Sequence, residues 1–142
     1  KFMGLLSPRD NDSGGFDETT SLTNTQRIEN LPFPVANSKT DLLAEARRLY
    51  QMGKYDDAIV YLFSYQLVKL DENQYIRLSR GKTNRQYLGE LRERHGLRSM
   101  VSGTMIAFED VFFGHHPLEK DRFESCWSQL DEFHRIVQTP NS

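Results

Sequence analysis

Beyond Ser38 the apolar residues fall into runs with the three-four spacing of helices that bury one face; before it they are scattered without period. Leu42, Leu43, Ala46, Leu49 and Tyr50 form the first run, with Ser38 or Thr40 available as its cap and Gly53 as its stop. A second opens at Tyr55 or Asp56 and carries Ala58, Ile59, Leu62, Phe63, Leu67 and Leu70 on one face, ending near Asp71-Glu72-Asn73. Tyr75 to Ser79 alternates in polarity but is too short to make a sheet by itself. A third helix is predicted from about Thr83 to Arg94, with Tyr87, Leu88 and Leu91 facing inward, until His95-Gly96 breaks it. The fourth carries Leu97, Met100, Val101, Met105, Phe108, Val111 and Phe112 and stops at Gly114. Pro117 suits the first position of a fifth helix, since the amide it lacks would be unpaired there, and Glu119 and Asp121 put negative charge at the positive end of the dipole. Phe123, Cys126, Trp127, Leu130, Phe133 and Val137 are its apolar face, and Pro140 ends it. The pattern predicts an all-α fold: a compact bundle of about five helices over residues 38–138, with short antiparallel connections.

Residues 1–37 read as an irregular segment. Asp10-Asn11-Asp12-Ser13-Gly14-Gly15 has the composition of a flexible linker. Leu31-Pro32-Phe33-Pro34-Val35 differs, because two prolines stiffen an apolar strip, and this strip is expected to dock on the helical domain. A first residue of Lys1 rather than Met suggests a piece of something longer. The 142 residues suffice for one domain with one core. There is no run of about 18 apolar residues to span a bilayer and no signal peptide. One cysteine, Cys126, allows no intramolecular disulfide, which agrees with a reducing compartment.

Net charge is only −2, but it is unevenly placed. Tyr75 to Arg98 holds seven basic residues against Glu90 and Glu93, while Ser99 onward holds seven acids against Lys120, Arg122 and Arg135. Complementarity within the bundle, or solvated faces, accounts for this ahead of an anionic partner or membrane surface.

Arg80-Gly81-Lys82-Thr83-Asn84-Arg85 resembles a phosphate-binding loop and fails its requirements. Such a loop needs a glycine five residues before the Gly-Lys-Thr, so that successive amides can wrap a phosphate, and that position is Ile76. The stretch reads better as a helix start, with Thr83 or Asn84 as N-cap and Gly81 as the bend. Its amides, with Arg80, Lys82, Thr83, Asn84 and Arg85, remain the candidate anion site, set against a capped helix whose basic residues pair with neighbouring acids.

No catalytic, cofactor or metal residue is assigned. Cys126 sits on an apolar stripe beside Trp127, the setting of an inert buried thiol, and His134 lies two helical turns away. His115-His116 lacks a third ligand at standard spacing, so a zinc site, and with it a metalloenzyme, ranks behind surface histidines. The aromatic residues fall on core stripes rather than on a base-stacking platform, so nucleic acid is not expected as a partner.

Two stretches carry a likeness to known proteins. Ala46-x-x-Leu49-x-x-x-Gly53-x-Tyr55-x-x-Ala58-Ile59-x-x-Leu62 resembles one tetratricopeptide helix hairpin, in which small residues let two helices approach closely; it occurs once, so a solenoid is not expected. Arg80-Gly81-Lys82-Thr83-Asn84-Arg85-x-Tyr87-Leu88, with Phe108-Glu109-x-Val111-Phe112-Phe113-Gly114-x-x-Pro117-Leu118 and Phe123-Glu124-x-Cys126-Trp127, resembles a bacterial C-terminal domain of unknown function, catalogued as four-one-two-nine. Many relatives carry Trp-Tyr-Gly where this chain has Phe112-Phe113-Gly114. That family follows membrane-spanning segments, including those of transglutaminase-like membrane proteins. The resemblance implies a non-enzymatic accessory module tethered to the cytoplasmic face of the bacterial inner membrane, reaching the bilayer only through a span outside these residues. Its expected partner is an unidentified protein, other regions of its own parent membrane protein included, gripped by a face of the Leu42–Leu70 hairpin. The alternative is an anion- or anionic-lipid-binding sensor using the basic turn at 80–85.

Overall fold

The computed structural model describes residues 24–33 and 41–139, and these are all-α, without strands. Seven helices follow in order: α1 (Asn24–Glu29), α2 (Leu42–Gln51), α3 (Tyr55–Glu72), α4 (Asn84–Glu90), α5 (His95–Phe112), α6 (Lys120–Trp127) and α7 (Leu130–Gln138). None is long and apolar enough to cross a membrane.

α2 and α3 form the expected hairpin. Ala46 and Ala58 have no exposed surface, as the close approach of two helices at those small positions requires. Gly53 reverses the chain with a φ of 76°, in the left-handed region open to glycine, and the Lys54 amide returns to the Leu49 carbonyl at 2.8 Å. The cap of α2 is Asp41, whose Oδ1 accepts from the Ala44 amide at 3.2 Å; Ser38 and Thr40 lie outside the described residues.

α3 is enclosed on nearly every side. Besides its apolar stripe it buries Tyr61, Ser64, Gln66 and Val68, and α1, α2, α5 and α6 all pack against it. An apolar helix of this kind sits at the centre of a bundle, not at its surface.

The described part of the apolar strip, Leu31 to Phe33, docks as expected, while Pro34 and Val35 lie outside the described residues. Leu31 and Phe33 are buried, and the Phe33 ring lies 5.8 Å from Phe63 of α3 and 4.4 Å from Phe108 of α5. The turn before it departs from expectation, because Asn24–Glu29 is helical although its sequence shows no apolar period. Tertiary contact explains this: Ile28 enters the core, and Arg27 Nε meets Asp71 Oδ2 at 2.6 Å with both side chains nearly buried. Asp71 Oδ1 also accepts from the Leu78 amide at 2.9 Å, so one carboxylate ties α1, the end of α3 and the following loop together.

Three further boundaries differ from those predicted. α4 stops at Glu90, and the break falls over Leu91 to Arg94, where the Arg94 amide bonds to the Leu91 carbonyl; His95 and Gly96 are already helical. α6 begins at Lys120 rather than at Pro117, and the Leu118 amide instead reaches back to Asp56 Oδ1 at 2.6 Å. The single long helix anticipated up to residue 138 is broken at Ser128-Gln129. There the Gln129 amide bonds three residues back to Cys126 and the Ser128 hydroxyl takes the Ser125 carbonyl, so the regular ladder is interrupted. The break turns Leu130, Phe133 and Val137 of α7 into the core.

Phe33 joins the strip to two helices at once. We expect Phe33→Ala to lower the unfolding free energy by about 3 kcal/mol, the usual cost of emptying a buried aromatic site. Urea titration would show it, and an unchanged midpoint would mean that the strip does not hold to the bundle in solution.

Candidate functional site

The Arg77–Glu90 segment carries the candidate anion residues, and its polar groups mostly answer one another. Lys82 Nζ meets Glu90 Oε2 at 2.8 Å and donates to the Arg77 carbonyl, also at 2.8 Å. The other oxygen of Glu90 accepts from the Arg77 amide at 2.8 Å. Tyr87 is buried against the same turn; its hydroxyl donates to the Ser79 carbonyl at 3.0 Å and accepts from the Ser79 amide at 3.1 Å. Gly81 makes the bend with a φ of 90°.

Thr83 is the N-cap of α4 within a reciprocal capping box. Its hydroxyl accepts from the Gln86 amide at 3.3 Å, and the Gln86 side chain accepts from the Thr83 amide at 2.7 Å. Asn84 points inward, with Nδ2 3.3 Å from Glu109 Oε2 on α5. Arg80 and Arg85 are exposed. Of the five candidate residues, therefore, Lys82 and Thr83 hold the turn together, Asn84 ties it to α5, and Arg80, Thr83 and Arg85 are exposed.

Cys126 is buried, and its Sγ lies 4.0 Å from the Gly103 carbonyl. Burial pushes its thiol up, an effect that a bond with Thr104 and the charge of Arg122 oppose. A protonated thiol in an apolar setting is a poor nucleophile. His115 and His116 are exposed, with His115 at a φ of 56°, and among the described residues no three His, Cys, Asp or Glu side chains are gathered to hold a metal ion.

Two polar features escaped the sequence reasoning. The Tyr65 hydroxyl lies 2.5 Å from His134 Nε2, joining α3 to α7 across 69 positions, a separation that no local pattern encodes. Burial, then the charge of Glu72, pushes the Tyr65 phenol up to about 12, so it keeps its proton. Burial, then Lys69, pushes His134 down despite Asp131, which favours the neutral imidazole, whose tautomer sets the direction of the bond. The other feature is Gln66, fully buried on α3, whose amide oxygen and nitrogen both lack a partner among the described residues. Here a signal existed, for Gln66 stands four residues after Leu62 and three after Phe63, on the apolar stripe.

The acidic and basic halves of the chain do not neutralise each other. Among the described residues no ion pair joins the Tyr75–Arg98 segment to the acids that follow it: Lys82 pairs with Glu90, Arg122 with Asp110 at 2.7 Å, and Arg135 with Glu132. Arg77, Arg80, Arg85, Arg92 and Arg98 are all exposed. Of the two expected explanations, complementarity within the bundle is therefore not how this charge is arranged among the described residues, whereas the exposed arginines form the solvated faces also expected.

Set against known protein families, curated proteins and solved structures, the chain has no match.

Two substitutions test this polar interior. Gln66→Met removes two unpartnered polar atoms at similar volume and should raise the unfolding free energy by about 1–2 kcal/mol in urea titration. A drop instead would show that the amide is bonded in solution. His134, held down in the folded state, binds a proton more readily once unfolded, so native stability falls as pH drops below the ordinary value of 6.5. His134→Gln keeps an acceptor for Tyr65 and should lose less stability than the parent between about pH 7 and about pH 5. Equal losses in the two proteins would reject the assignment.

Proposed function

We propose that the chain is a non-catalytic helical docking module of a bacterial membrane-tethered protein. The observation that carries this reading is the position of the α2–α3 hairpin. Among the described residues α1, α5 and α6 pack against α3, and the outer face of α2 is left exposed for a partner. Arg47, Arg48, Gln51 and Met52 are exposed there, and Met52, an adaptable apolar side chain, is 53% exposed. Arg47 lies over the Trp127 ring at 5.6 Å, so the face continues onto α6. The motif likeness to domains that follow membrane-spanning segments supports tethering at the cytoplasmic face of the inner membrane, with the span outside these residues. The partner on this reading is a protein, with other regions of the parent membrane protein among the candidates.

A second reading has its own support. The surplus of exposed arginines between Arg77 and Arg98, unmatched by the acids that follow, favours contact with an anion or an anionic lipid surface.

Immobilised chain incubated with detergent-solubilised bacterial membranes tests the first reading. The parent chain should retain a membrane protein that the Arg47→Glu, Met52→Asp double variant does not, both having the same melting temperature. Retention of nothing, or equal retention by both, would count against the hairpin face as the docking surface.

A further inference from the structure

His95, Arg98, Ser99 and Ser102 share one face of α5, opposite the buried stripe of Leu97, Met100, Val101, Thr104 and Met105. With Arg92 from the preceding turn they line a depression of about 380 Å³. Arg92 Nη1 donates to the Gly89 carbonyl at 3.0 Å, which holds one edge of its guanidinium against the end of α4. The depression is lined by two guanidinium groups, an imidazole and two hydroxyls, and among the described residues no carboxylate lines it. Glu93 is exposed on the intervening turn but is not one of the lining residues, and the first turn of α5 carries no acidic side chain.

This set of groups has a recognisable chemistry. Guanidinium groups present paired N–H donors whose spacing matches two oxygens of a phosphate, and serine hydroxyls and an imidazole N–H supply further donors to the same acceptor. The contrast with the Arg80–Arg85 turn is chemical as well as spatial. There the ammonium of Lys82 already has Glu90, and the capping groups already have each other. Around Arg98 the lining offers donors without an opposing acid among the described residues.

We propose that this depression binds a phosphate-bearing anion, with Arg92 and Arg98 gripping the phosphate and His95, Ser99 and Ser102 completing its shell. The proposal rests on the second reading above and moves the contact from the 80–85 turn to the start of α5. A soluble phosphate ester and a phospholipid headgroup share the chemistry that this site recognises.

The test uses the full chain and two probes. Inorganic pyrophosphate is titrated calorimetrically, and vesicles of phosphatidylglycerol in phosphatidylcholine are co-sedimented beside vesicles of phosphatidylcholine alone. Binding in either arm should weaken with added salt. It should fall about tenfold or more in Arg92→Ala, Arg98→Ala, since each removes a charge-assisted contact. Ser99→Asp, which places a carboxylate in the depression on an exposed helix face, should abolish it while leaving the helical circular dichroism intact. The control Arg80→Ala, Arg85→Ala should bind like the parent. Binding of pyrophosphate identifies a soluble phosphate; binding of the anionic vesicles alone identifies a headgroup. Loss in the 80/85 variant with retention in the 92/98 variant overturns the site but spares the second reading. Equal weakening by both pairs shows diffuse attraction and also overturns the site. No binding of either probe overturns the site and the second reading together.

Discussion

A helix that is apolar on almost every side has to be covered on almost every side, and α3 imposes that requirement on the whole bundle. Its buried residues run from Ala58 to Leu70 without a wide polar face. One antiparallel partner cannot shield such a surface. α2 covers one flank, α5 another, and α1 and α6 close the gaps. Aromatic rings do much of the closing. Phe33 bridges Phe63 and Phe108 on one side, while Tyr50, Tyr55, Phe123 and Trp127 lie at ring separations of 5.0 to 6.2 Å on the other. Tyr50 adds a polar clamp, its hydroxyl donating to Glu124 Oε2 at 2.6 Å. Neighbouring aromatics of this kind contribute beyond the area they bury, which suits a small domain with one core.

Polar groups at the edge of that core set direction more than they add stability. The nearly buried Arg27–Asp71 pair lies where α1, α3 and the Leu78 loop converge. A buried ion pair repays little of its desolvation, but losing either partner would strand a charge, so it penalises alternative placements of α1. Glu90 acts similarly in the Arg77–Glu90 turn, where each of its oxygens takes a different donor. The likeness of Gly81-Lys82-Thr83 to a phosphate loop thus has a plain structural origin. A bend, a cation and a cap are also what a self-contained helix start needs.

With the interior committed to packing, function on these readings belongs to the surface. The outer face of α2 and the basic face of α5 are separate surfaces with different chemistry. One offers a flexible thioether among long polar side chains, the other a concentration of guanidinium groups. On these readings, contact with a protein and contact with an anion would not compete for the same residues.

The order of the main helices, their inward faces, the close hairpin at Ala46 and Ala58 and the docking of Phe33 were all legible in the sequence. Each rests on spacing or residue size within a few positions, and the helical period turns such spacing directly into a face. The failure of Gly81-Lys82-Thr83 as a phosphate loop was equally legible, because Ile76 stands where the loop needs glycine. The tertiary structure decided what depends on distant partners. Asn24–Glu29 has no apolar period and is helical because Asp71 and the core receive Arg27 and Ile28. Tyr65 finds His134, and the last helix breaks at Ser128-Gln129 so that Leu130 and Phe133 turn inward. Of the candidate site, local capping rules foresaw Thr83. That Lys82 would be held by Glu90 while Arg92 and Arg98 converge on one depression depended on how the turns between α3, α4 and α5 fold back. Periodicity is a property of neighbours, whereas the meeting of charges depends on how whole helices are rotated and crossed, which no short stretch of sequence records.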